Sequence, residues 1–230
     1  KLNINFGSDG TLNKWTFSMW FKRSTLGTAQ RLFCVLDTGM DDYIKFDTSD
    51  RLEWTFDNED GTNKGVLLTN RKFRDVSAWY HIVVAMDTTQ GTASNRAKLY
   101  VNGYQETDLV NNSGGSASYP SQNADGLINS NVLHTVGCRD ISGTVDQNVD
   151  GYMAEVHFID GTAKSPTDFG EFDEDSGIWK PKEYDGSYGT NGYYLDFENS
   201  GSLGADSSGN GNDFTPTNLA STDQTTDTPT

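Results

Sequence analysis

The segment LGADSSGNGNDF, Leu203–Phe214, spaces oxygen-bearing side chains at every second residue: Asp206, Ser208, Asn210 and Asn212. Alternating oxygens suit a hard cation. Asp206, Ser208, Asn210 and Gly211 match the first half of a D-x-[DN]-x-[DN]-G calcium loop, in which Gly permits the sharp turn. The last position of such a loop requires a bidentate Glu, and Thr217 stands there, which excludes an EF-hand. Calcium accepts oxygens from any source, so a partial set from this loop calls for a carboxylate from elsewhere; Asp150 of VDGY is the candidate. A second reading fits the same residues. As Asx turns, they satisfy local backbone amides and bind nothing.

Paired carboxylates are the next chemistry to weigh. A retaining glycosidase needs two of them about 5–5.5 Å apart on a rigid face, one kept protonated by burial. EFDED, Glu171 to Asp175, is the nearest approach, but it follows a helical turn and crowds its acids together as a solvated loop does. His81, His134 and His157 fall in separate expected strands, and no G-x-S-x-G, H-E-x-x-H or phosphate-cradling glycine loop accompanies them. No catalytic residue is assigned, and no enzyme is expected.

Aromatic residues outside the strands point to binding. IWKPKEYDGSYGTNGYY sets Trp179, Tyr184 and Tyr188 among Gly, Asp and Asn. Sugar rings stack their C–H faces on such side chains while nearby carboxylates and amides take the hydroxyls. Tyr184, Asp185 and Tyr188 are therefore the candidate ligand contacts. Ile178-Trp179 is apolar enough to pin a crossing loop onto the protein instead.

Strands must position all of these. Large apolar residues alternate with polar ones over short runs, as in WTFSMWFKR, where Trp15, Phe17, Met19 and Phe21 share one face. Long strands are expected at Trp15 to Arg23, Tyr80 to Asp87 and Gly151 to Ile159. Asn102-Gly103 predicts a type I′ hairpin joining Lys98–Val101 to Tyr104–Thr107. KSPTDFG predicts one helical turn capped by Ser165 and Asp168. Many short strands with turn-rich gaps define an all-β, jelly-roll-like antiparallel sandwich of two sheets. Residues 111–126 and those after Thr217 are expected to be least ordered.

Composition narrows the partners. Asp+Glu number 33 against 17 Lys+Arg, a formal net charge of -16, which repels nucleic acid and anionic membranes. No apolar run approaches the roughly 20 residues of a bilayer span, so membrane insertion is not expected. Cys34 and Cys138 form no framework or zinc spacing; two buried thiols and a single disulfide both remain open. The absence of an initiator Met and the STDQTTDTPT ending suggest a piece of a longer polypeptide.

The order KWTFSMWFKRS, WYHIVVAMDTTQGTASNRAKLYVNG, VDGYMAEVHFIDGTAKSPTDFG resembles the concanavalin A-like lectin/glucanase superfamily in its laminin G-like, or pentraxin-like, branch. DGTAKSPTDFGEFDEDSGIWKPK and GYYLDFENSGSLGADSSGNGNDFTPTNL further resemble lectin-like domains of bacteriophage tail-fibre and other virion proteins. The resemblance implies calcium in rim loops and a non-catalytic adhesion module that contacts host glycans on a cell surface. It also implies other virion proteins as partners, homo-oligomers in the full-length protein, and a place on the virion surface or otherwise outside cells. Structural decoration through protein–protein contacts is the alternative, and glycan hydrolysis ranks last. In many such domains DSSGNGN lies near the start, whereas here it ends the chain. GYYLDF, which delivers it as a strand would, favours one sandwich over residues 1–217 with 218–230 as a linker or tail.

Overall fold

A computed structural model describes residues 1–37, 39–57 and 64–229, Lys64 by its backbone alone. Thr230, the last residue of the expected tail, lies outside them. The first half of the chain forms β1 (Leu2–Asn5), β2 (Lys14–Arg23), β3 (Gln30–Asp37), β4 (Met40–Phe46), β5 (Arg51–Asp57), β6 (Lys64–Lys72) and β7 (Trp79–Asp87). A helical turn, α1 (Ala93–Arg96), leads into β8 (Ala97–Val101), β9 (Tyr104–Gln105), β10 (Leu109–Val110) and β11 (Leu133–Val136). Two short ribbons follow the same pattern later: β12 (Arg139–Ile141) with β13 (Thr144–Asp146), and, after β14 (Gly151–Asp160), β15 (Gly170–Phe172) with β16 (Trp179–Pro181). The chain closes with β17 (Tyr193–Leu195) and β18 (Thr215–Pro216).

Two antiparallel sheets result. One has eight strands in the order β10-β6-β5-β4-β3-β11-β1-β18, the other six in the order β17-β14-β2-β7-β8-β9. Period-two alternation decides which side chains lie between them. Trp15, Phe17, Met19 and Phe21 of β2 point inward, fully buried. Across the gap Phe17 stacks on Phe33 at 4.7 Å and Trp15 meets Trp54 edge-on at 5.6 Å. Each such side chain stabilises the fold by about 1.5–3 kcal/mol on leaving water, so this aromatic layer is the main cohesive force.

The expected hairpin forms, with Asn102 at φ +49° and Gly103 at φ +83°, the two positive values a type I′ turn requires. The helical turn is a 3₁₀ turn, Pro166–Asp168, whose Asp168 carboxylate accepts the Ser165 amide at 2.9 Å. Residues 111–126, expected to be loose, carry short ties instead: Ser118 exchanges backbone bonds with Val66, and Pro120 lies over Gly65. After Thr217 the Gln224 amide donates to the Phe197 and Glu198 carbonyls, and Lys22 pairs with Asp227 at 2.8 Å. Leu203–Phe214 packs on this same sandwich, since Phe214 is buried against the Tyr193 ring at 4.7 Å and β18 pairs with β1. Cys34 and Cys138 are separate buried thiols. Among the described residues no helix is long and apolar enough to cross a membrane.

Candidate functional site

The outer face of the six-stranded sheet is not bare. Residues 161–192 cross it and bury Phe169 and Tyr184 against Val83 and Ile159. Trp179 is the wedge. A Cβ on Gly103 would sit 2.8 Å from its ring and one on Gly170 would sit 2.6 Å away, so the indole lies between two backbones that only glycine leaves open. Its Nε1–H donates to His81 Nδ1 at 2.9 Å. Because indole nitrogen only donates, the His81 proton must reside on Nε2, which faces Ser18 Oγ at 2.9 Å. This Ser–His pair therefore cannot activate a nucleophile: the imidazole lone pair is already taken, and burial holds His81 neutral down to about 3.

The second histidine of that face has a different setting. A bulge in β14 between Ala154 and His157 shifts the register against β2 and leaves Glu155 at φ +51°. Bulges of this kind re-aim side chains. Here Glu155 turns outward beside His157, whose Nε2 lies 3.7 Å from its Oε2. Tyr194, directly opposite His157 on β17, stacks on the imidazole at 4.2 Å and donates its hydroxyl to Glu155 Oε2 at 2.8 Å. Tyr188 bonds His157 Nδ1 at 3.0 Å. With Nε2–H turned to the carboxylate, Nδ1 is the acceptor and the Tyr188 hydroxyl the donor. Burial lowers the His157 pKa against the pull of Glu155. For Glu155 burial opposes the charge, but His157 and Tyr194 outweigh it and hold the carboxyl below its ordinary range. Burial, with neighbouring acids, raises both tyrosines, so they stay protonated. Glu155, Tyr188 and Tyr194 are each half-buried, open on one side to solvent.

Four of the seven residues singled out from sequence converge here. Tyr188 lines the cluster, and the loop bearing Asp206, Asn210 and Asn212 forms its rim. Asp206 Oδ1 accepts the Tyr194 and Ser208 amides, both at 2.9 Å, and Oδ2 accepts Ser208 Oγ and the Asn212 amide, again at 2.9 Å. Asn210 Nδ2 donates to the Gly189 and Gly192 carbonyls, and Asn212 Nδ2 to those of Thr190 and Gly192. The Ser208 amide bond to Asp206 closes an Asx turn, and the Asn210 and Asn212 bonds knit two loops together. The Asp206 carboxylate does not fit a calcium site, because four protein donors already occupy it, and no set of three His, Cys, Asp or Glu converges among the described residues.

The other three assignments need correction or stand apart. Tyr184 is buried beneath Tyr188, its hydroxyl on the Ser187 carbonyl at 2.9 Å, so it anchors the cover and offers no face to a ligand. Asp185 is exposed on the same loop. Asp150 lies one residue before β14, bonded to Thr25, whereas Asp206 meets the sheet opposite His157. Seven residues of strand separate the two, on the order of 20 Å; they cannot share a cation. Glu155, His157 and Tyr194 were not singled out as site residues, because no residue type announces a bulge. In EFDED, Asp173 closes the β15–β16 turn by accepting the Ser176 amide and hydroxyl and pairing with Lys180 at 3.1 Å. Those bonds hold its carboxyl far below its ordinary value, the wrong direction for a general acid.

Solved structures of similar shape include a native heptameric SAP-like pentraxin from Limulus polyphemus, 13% identical, covering 71% of each chain with TM-score 0.45. A Ruminococcus gnavus IT-sialidase CBM40 bound to α2,3-sialyllactose is 18% identical, covering 66% of this chain and 85% of that one, TM-score 0.44. The mouse laminin α1 chain, domains LG4-5, is 11% identical over 68% of this chain and 40% of that one, TM-score 0.44. No curated protein matches the sequence. A laminin G family model matches residues 2–168, from the start of β1 through β14 and the 3₁₀ turn after it. Those residues supply the long strands of both sheets around one core, and by that match the chain belongs to the concanavalin A-like lectin/glucanases superfamily.

Proposed function

We propose that this sandwich is a non-catalytic carbohydrate-binding module, acting in adhesion at the surface of a phage fibre or another virion protein, and that its ligand is a host glycan. The observation that carries this reading is the half-open cluster of Tyr188, Tyr194 and Glu155 on a rim made rigid by Asn210 and Asn212. Aromatic rings beside a carboxylate offer a sugar its stacking surface and a hydrogen-bond acceptor. Such a shallow site binds weakly alone, and multiple copies in an oligomer raise the avidity. The test is a glycan array probed with multimerised protein, followed by titration of the hits. Tyr194→Ala should lose at least tenfold in affinity while thermal unfolding stays cooperative; an array without hits, at any valency, would reject the reading.

A second reading has its own observation. Tyr104 is 66% exposed, Phe172 43% and Ile178 66%, with the two aromatic rings 5.5 Å apart. An exposed apolar patch of this kind suits protein–protein contact, as a structural decoration or assembly protein needs. If Tyr104→Ser with Phe172→Ser abolishes self-association or particle incorporation and the array is blank, that reading replaces the first.

A further inference from the structure

Hydrogen-bond directions around Glu155 say more than its charge. Tyr194 spends its hydroxyl proton on Glu155 Oε2, and Tyr188 spends its own on His157 Nδ1. His157 in turn points Nε2 at Glu155. What remains for a ligand at this surface is lone pairs: Glu155 Oε1, whose carboxylate is bonded through Oε2 among the described residues, and the two phenolic oxygens. No proton donor of the cluster is left unspent.

The surroundings reinforce this. Asp196 stands close by, bonded to Ser207 Oγ at 2.5 Å, and Asp206 lies beneath the rim. Among the described residues no Lys or Arg pairs with Glu155, Asp196 or Asp206. Lys164 of the cover is turned elsewhere, over the Tyr184 ring at 5.3 Å and toward Asp168 at 3.7 Å. A carboxylate, sulfate or phosphate on an incoming sugar would meet acceptors and like charge with nothing to neutralise it. A hydroxyl or an ammonium would meet partners.

Resting on the carbohydrate-binding reading, we infer that the Glu155–Tyr188–Tyr194 surface selects glycans by the donors they present: it takes neutral and amino-bearing sugars and excludes acidic ones. Asn210 and Asn212 reinforce the selection, since their amide nitrogens are committed to backbone carbonyls and only their oxygens remain to face a ligand.

The experiment compares three probes by calorimetry on the full 230-residue chain: a glucosamine hexamer, a neutral glucose hexamer and a galacturonate hexamer, each at low and at high salt. The glucosamine and neutral probes should bind at least tenfold more tightly than galacturonate, and salt should weaken the glucosamine probe alone. Glu155→Gln should shrink the gap between glucosamine and galacturonate at least threefold. Glu171→Gln, on the distant β15–β16 hairpin, changes net charge equally and should leave the gap intact, which separates the site from bulk charge. Tyr194→Phe removes one phenolic oxygen without touching charge, so it should weaken the neutral probe while preserving the exclusion of galacturonate. It also guards against a Glu155 variant that fails to fold. Tightest binding of galacturonate would overturn the inference and leave the module a lectin, as would an unchanged gap in Glu155→Gln. Binding of no probe, with a blank array, would overturn both.

Discussion

His81 and His157 look out from the same face of the same sheet, and each is held by the same device. Both accept a bond at Nδ1 from an aromatic side chain of the covering segment, Trp179 for one and Tyr188 for the other, and both turn Nε2 toward a partner on the sheet side. What differs is that partner. His81 meets the hydroxyl of Ser18 under a sealed indole, and His157 meets the carboxylate of Glu155 where the cover ends. A hydroxyl inside a closed cover completes a structural joint. A carboxylate at an open edge leaves an acceptor facing solvent. The polar groups that tie a loop down and those that meet a ligand can thus share one bonding pattern, and burial separates them.

The sealed joint should break hardest. Trp179→Ala empties the wedge and strips the partner from a buried histidine, so urea unfolding should show a loss of about 3–5 kcal/mol; Trp179→Phe, which keeps the ring and deletes the donor, should lose about 1–3. A loss under 1 kcal/mol from the alanine would mean the cover is not held there.

Acid comes next. Burial keeps His81 and His134 neutral in the fold down to about 3 and about 4, against an ordinary 6.5. The unfolded chain gains those protons first, so the histidines' contribution to stability is full above pH 6.5 and falls as pH drops toward 4, each accounting for on the order of 2 kcal/mol of loss by pH 5. Asp42, buried and pushed up to about 8, acts oppositely and erodes stability as pH rises toward that value. Histidine NMR should show His157 protonating before His81, because only His157 has a carboxylate beside it. Glu155→Gln should push the His157 transition lower and leave His81 unmoved.

Smaller effects sharpen the contrast. Gly170→Ala drives a methyl into the Trp179 ring and should lose about 1–2 kcal/mol. Tyr188→Phe removes one half-open bond and should lose only about 1 kcal/mol in denaturant titration. Smallest of all is the response to calcium: with Asp206 saturated by protein donors, melting temperatures in millimolar calcium and in chelator should agree to within about 1 °C, where a bound ion would raise the former.

Much of the frame was legible in the sequence. Alternation in WTFSMWFKR assigned Trp15, Phe17, Met19 and Phe21 to one face, and those four do fill the core. Asn102-Gly103 announced its turn because few residue pairs tolerate two positive φ values. Less of the site was legible. Strict alternation from Met153, which packs on the core, would aim Glu155 inward; the bulge reverses it, and a bulge depends on how two strands register. Tyr184 and Tyr188 are the same residue type four positions apart in one loop, yet one is sealed and the other half-open.

By itself the sequence determined periodicity, turn chemistry and charge, since each is a property of neighbouring residues: an all-β chain, strongly acidic, with a late run of tyrosines at Tyr184, Tyr188, Tyr193 and Tyr194. The tertiary structure decided where the late aromatics lie. It set Trp179 against His81, 98 positions away, and Tyr194 against Glu155, 39 positions away. It also spent the oxygens of Asp206 on amides of its own and neighbouring loops. Those outcomes rest on packing and on the direction of each hydrogen bond, and both are fixed only when distant segments compete for the same donors.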